Sequence, residues 1–128
     1  MVSWPRRCLA FTLIELLVVL AIVATLLAIV TPRYYHSLDT AKEAVLKENL
    51  ATLRQVIDKY YGDRGKYPDS LDALVARKYL RKIPVDPLTD SADTWVIVPP
   101  ANAETGAVFD IHSGGAGTGS DGREYREW

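Results

Sequence analysis

Apolar residues run almost without interruption from Phe11 to Thr31, and past Pro32 they thin to a spacing of three and four. The first run is about 21 residues of mostly Leu, Ile, Val and Ala; at 1.5 Å per residue it reaches roughly 30 Å, the hydrocarbon thickness of a bilayer. It predicts a membrane-spanning helix. Beyond Pro32, apolar residues recur at Leu38, Ala41, Val45, Leu46, Leu50, Leu53, Ile57 and Tyr60, the pattern of an amphipathic helix. Lys42, Glu43, Lys47, Glu48, Arg54 and Asp58 are assigned to its polar surface. The two halves predict one helix from about Thr12 to about Tyr61, bent at Pro32 and stopped by Gly62 and Gly65. Its length would be about 75 Å, half in lipid and half in water. The apolar stripe of the second half approaches half the circumference, so other parts of the chain must cover it.

Residues 62–128 are few for a core of their own without disulfides or metal, and packing on that stripe serves both parts. PDSLDALVARKYL predicts a short helix capped by Asp69 or Ser70, with Leu71, Leu74, Val75 and Leu80 inward. KIPVDPLTD reads as a loop. TWVIVPP and GAVFDIHS predict two antiparallel strands, and a third is expected through Glu124–Trp128 after a Gly-rich loop. The fold class is α+β. Its parts are residues 1–10 as a leader, 11–32 in the membrane, 33–61 as the amphipathic half and 62–128 as a small α+β domain.

Charge and cysteine content narrow the function. Fifteen basic and sixteen acidic residues leave a net charge of -1, with no positive field for nucleic acid. Arg77, Lys78, Arg81 and Lys82 read as the solvated face of the short helix. The single cysteine, Cys8, allows no intramolecular disulfide and no zinc or iron–sulfur spacing, and its place after Pro5-Arg6-Arg7 does not suit a lipid anchor. The apolar run is longer than a secretory h-region, and its small residues Ala21 and Ala24 have the wrong spacing for signal cleavage. Residues after Arg6-Arg7 fit a twin-arginine signal poorly. The same Arg pair places the amino terminus in the cytoplasm and the chain beyond Pro32 across the membrane.

Glu15 is the exception within the apolar run. A charged side chain at the centre of a bilayer helix costs roughly 2.5 to 3.5 kcal/mol on insertion scales, so a partner is expected. No catalytic constellation offers itself. His36 and His112 are far apart in sequence and on different elements; Ser113 and Ser120 lie among glycines without the pattern of a phosphate loop; Asp69, Asp72, Asp86 and Asp90 occupy ordinary turn and cap contexts.

Basic residues, a small residue, then FTLIELLVVLAIVA closely resemble the class III signal of type IV pilins and type II secretion pseudopilins. Pro32, KYPDSLDAL, the IPVDP loop and the terminal Trp128 extend the resemblance to the G-type pseudopilins over nearly the whole chain. It implies cleavage by a prepilin peptidase between Ala10 and Phe11, with Ala10 standing where the family has Gly, and methylation of the new Phe11 amine. It also implies a type IV pilin-like fold, and a filament of copies of this chain and other pseudopilins, grown from an inner-membrane assembly platform into the periplasm. Cleavage would supply the cation that Glu15 lacks: the Phe11 amine of a neighbouring subunit. Pro32 would loosen the helix before it, around Ala24, Thr25 and Ala28. The family carries calcium in its last loop; here Asp121, Glu124 and Glu127 are the nearby carboxylates, a thin set for an ion that takes six to eight oxygens, and a flexible surface loop without cofactor is expected instead. The rivals are a type IV pilin for adhesion, motility or DNA uptake, disfavoured by the lack of paired cysteines and by the IPVDP loop, and a membrane-anchored periplasmic binding module or enzyme.

Overall fold

The computed structural model describes Val2, Ser3 and residues 10–128; Arg6, Arg7 and Cys8 fall outside the described residues, and so do the expectations resting on them. Helix-forming Leu and Ala recur throughout a single element, α1, Leu13–Arg64, which contains Pro32. It continues three residues beyond the expected end at Tyr61. Gly62 lies inside the helix, and only Gly65, with φ of +69°, has the left-handed backbone of a helix stop.

Contacts divide the chain into two units, one ending at Ser37 and one spanning Leu38–Trp128. The α1 residues of the first unit are all exposed, and the helix is long and apolar enough there to cross a membrane. Thr25 and Thr31 fold their hydroxyls back onto the Ala21 and Leu27 carbonyls, at 2.8 and 2.6 Å, so neither presents an unsatisfied donor.

In the second unit, Leu46, Leu50, Leu53, Ile57 and Tyr60 form the buried stripe of α1. Leu38, Ala41 and Val45, expected on it, are exposed. The stripe is covered by Leu71 and Leu74 of α2 (Leu71–Ala76), by Trp95, Val108 and Ile111, and by Tyr125 and Trp128. Ser70 caps α2, its hydroxyl accepting from the Ala73 N–H at 3.2 Å. Helix α2 ends before the basic cluster. Arg77, Lys78, Arg81 and Lys82 therefore occupy an exposed turn, with Lys78 at φ of +63°, instead of a helix face.

Strands β1 (Val96–Val98) and β2 (Asp110–His112) pair antiparallel, Ile97 opposite Ile111. The expected third strand is not formed. Residues Tyr125–Glu127 make a 3₁₀ turn, because Tyr125 and Trp128 are both buried and Arg126 and Glu127 both exposed, a period of three that a strand cannot satisfy.

Candidate functional site: the amino end of the first helix

Thr12 is the residue before α1 and Glu15 its third. Thr12 Oγ1 accepts from the Glu15 N–H at 3.2 Å, and Glu15 Oε2 accepts from the Thr12 N–H at 3.5 Å. These reciprocal bonds form a capping box, and the helix dipole adds a favourable field for a carboxylate in the first turn. The Glu15 carboxylate, expected to be unpaired in a single chain, therefore has a partner there, but a local and neutral one. The Thr-x-x-Glu spacing of such a cap is present in the sequence, where the cost of a charge in lipid overshadows it.

Ala10 and Phe11 precede the cap and are exposed, so the peptide bond between them is not covered by the described residues. Ala10, Phe11 and Glu15 share one end of α1, while Pro32 lies about 25 Å further along it. Pro32 has no N–H to offer the Ala28 carbonyl, so the helix carries one missing hydrogen bond within its apolar part.

The last loop is far from featureless. Glu43, assigned to the polar surface from the pattern, is buried, and its carboxylate accepts from the Ser120 N–H at 2.8 Å, the Ser120 hydroxyl at 2.6 Å and the Tyr125 hydroxyl at 2.9 Å. The Ser120 hydroxyl, and after it the other donors and Lys47, hold the Glu43 carboxyl below its ordinary value of 4.5. Burial, reinforced by Glu43, pushes the Tyr125 phenol up to about 12. Arg54, also assigned to the surface, donates to Asp110 Oδ1 at 2.8 Å and to the carbonyls of Ile111 at 3.0 Å and Trp128 at 2.7 Å. Asp86 is fully buried, accepting from the Ser113 hydroxyl at 2.6 Å and the Gly114 N–H at 3.2 Å. Each ties loop to core.

A groove of about 460 Å³ opens beside Trp128, lined by Lys47, Arg54, Asp110, His112 and Arg123 among others. Its lining carries no hydroxyl or thiol nucleophile, and His112 Nδ1 is engaged with the Trp128 carbonyl. His36 belongs to the first unit and His112 to the second. Among the described residues no three His, Cys, Asp or Glu side chains gather as a metal site.

Comparison with known proteins places this geometry. Residues 5–31 match the model of the prokaryotic N-terminal methylation motif, a span that contains Ala10, Phe11 and Glu15. The chain is 33% identical to the type II secretion system core protein G of Pseudomonas aeruginosa, over 93% of this chain and 88% of that protein. It belongs to the type II secretion core protein G family. The core protein G of Vibrio cholerae is 27% identical over 91% of this chain and 90% of its own length. A shorter likeness, 44% over 38% of this chain and 34% of the relative, links it to prepilin peptidase-dependent protein A of Clostridium perfringens. No solved structure matches the chain. Membership in the core protein G family agrees with the α+β arrangement of a long apolar helix, a short helix and a small antiparallel sheet.

Proposed function

We propose that this chain is a structural pseudopilin of type II protein secretion, without catalytic activity of its own, anchored by the first part of α1 and polymerised into a filament. Prepilin peptidase cuts between Ala10 and Phe11 and methylates the Phe11 amine. The chain then stands in the inner membrane as a single pass, amino end cytoplasmic and second unit periplasmic. Arg33, Tyr34 and Tyr35 follow the apolar run directly, the residue types that favour a headgroup boundary.

One observation carries this reading: Glu15 is the fifth residue after the Ala10–Phe11 junction, inside an exposed apolar helix and inside the matched methylation motif. In the single chain its carboxylate has the Thr12 N–H, a neutral partner at the long limit of a hydrogen bond. The Phe11 ammonium of a neighbouring subunit is a stronger partner in a medium of low dielectric, where ion pairing gains most. Such a contact is head-to-tail, so repeating it builds an open helical filament instead of a closed ring. Contacts with other pseudopilins and with an assembly platform in the membrane follow from the same reading. Secretion complementation tests it: Glu15→Val should leave the protein cleaved and membrane-bound but unable to support export, and full export by that variant would contradict the proposal.

A further inference from the structure

The resemblance implies calcium in the last loop, and the donor chemistry there does not fit it. Both oxygens of Asp121 face Arg123: Oδ1 accepts its backbone N–H at 3.0 Å, and Oδ2 its Nε at 2.9 Å, with Nη2 at 2.8 Å. Glu124 Oε2 stands 3.1 Å from Arg126 Nε. Two guanidinium groups thus occupy the positions from which a divalent cation would approach those carboxylates, and they repel it.

The backbone is committed as well. Gly117, Gly119, Arg123, Glu124 and Tyr125 all have carbonyls that accept backbone N–H bonds within the loop, at 2.8 to 3.2 Å. Thr118 and Glu124 form an isolated antiparallel bridge across it. A calcium ion takes six to eight oxygens at about 2.3–2.6 Å; assembling them here would break the ion pairs and several of these bonds.

What a cation would do by linking the loop, Glu43 does from the helix. Its carboxylate gathers three donors from the loop, two of them from Ser120 and one from Tyr125. The charge lies on α1 and the donors on the loop, an arrangement in which hydrogen bonds to an ionised group supply the closure. Trp128 completes it. Its ring packs edge-on against Tyr125 at 5.2 Å, and Lys47 lies over it at 4.7 Å.

We infer that this chain closes its last loop without a divalent cation, the buried Glu43 carboxylate acting as the internal clasp on Ser120 and Tyr125. Replacement of a bound ion by a carboxylate that the chain carries itself makes loop closure independent of calcium in the surrounding medium. The loop is then set at folding and stays set when calcium varies.

The full chain in detergent micelles tests this with two readouts. Thermal unfolding in millimolar calcium chloride and in EDTA should give the same midpoint, and calorimetric titration of calcium alone should show no saturable binding up to millimolar concentrations. A midpoint that rises with calcium by several degrees, or saturable binding at micromolar calcium, would overturn the inference. Hydrogen exchange of the Ser120 amide should accelerate at least tenfold in Glu43→Gln and in the milder Ser120→Ala, in which the backbone bond to Glu43 remains but the hydroxyl bond is gone. Unchanged exchange in both variants would equally overturn it.

Discussion

Glu43 and Ser120 are 77 positions apart and joined by two hydrogen bonds, from the Ser120 amide at 2.8 Å and its hydroxyl at 2.6 Å. The pair fastens the final loop to α1, and it requires an ionised carboxylate. Because the folded state holds Glu43 below its ordinary 4.5, the stabilisation is present in full above that value and is lost as pH falls through the lower folded value. Acid titration of the thermal midpoint should therefore decline below about pH 4.5, and Glu43→Gln should flatten that decline while lowering the midpoint at neutral pH. Removing the charge-assisted bonds costs about 2 kcal/mol.

At the alkaline end the sign reverses. Tyr125 rises from 10.0 to about 12 on folding, so its contribution is complete below pH 10 and disappears as pH climbs toward 12. Tyr125→Phe should remove this alkaline dependence, read as midpoint against pH, and leave an acid limb made shallower by the loss of one donor to Glu43.

Arg54 serves three acceptors on two segments, Asp110, Ile111 and Trp128. A lysine ammonium has no planar fork to reach all three. Since the side chain is partly exposed, Arg54→Lys should cost only about 1 kcal/mol, several degrees in the midpoint of a unit this size. Arg54→Ala should cost more.

Two glycines separate packing from propensity. A Cβ on Gly119 would come within 2.2 Å of the Trp128 ring, so Gly119→Ala should destabilise by about 1–3 kcal/mol. Gly62 is helical with nothing within 4 Å of its Cβ position, and Gly62→Ala should stabilise by about 0.5–1 kcal/mol. Denaturant titration of both variants measures the difference.

At the amino end, cap and charge can be parted. Glu15→Gln keeps an acceptor for the Thr12 N–H but removes the negative charge, whereas Thr12→Ala removes the cap at a cost of about 1 kcal/mol and keeps the charge. Export should fail with the first and persist with the second.

Much of the fold was legible because it follows from local periodicity. The stripe from Leu46 to Tyr60, a cap at Asp69 or Ser70 and the two strands all have spacing or chemistry that a short window displays; the structure selects Ser70. The first helix reached Arg64 because Gly62 is tolerated in a helix that packing supports, and only Gly65 needs a positive φ. Glu43, Arg54 and Asp86 escaped for a different reason. Their engagement depends on partners 27 to 82 positions away, and a polar residue on an amphipathic helix or in a loop carries no mark of such a partner. The turn at Tyr125–Glu127 does carry one, its aromatics three apart, but Tyr and Trp also have high strand propensity, which points the other way. At the amino end, charge and cap lie within four residues, and the charge is the more conspicuous because it breaks an apolar run.

Mass spectrometry of the mature amino terminus tests the central claim most directly. If this chain is a processed pseudopilin, the protein recovered from membranes begins at Phe11 and carries one added methyl on its amine. A chain that keeps residues 1–10, or that begins near Ala24 or Ala28, would contradict it.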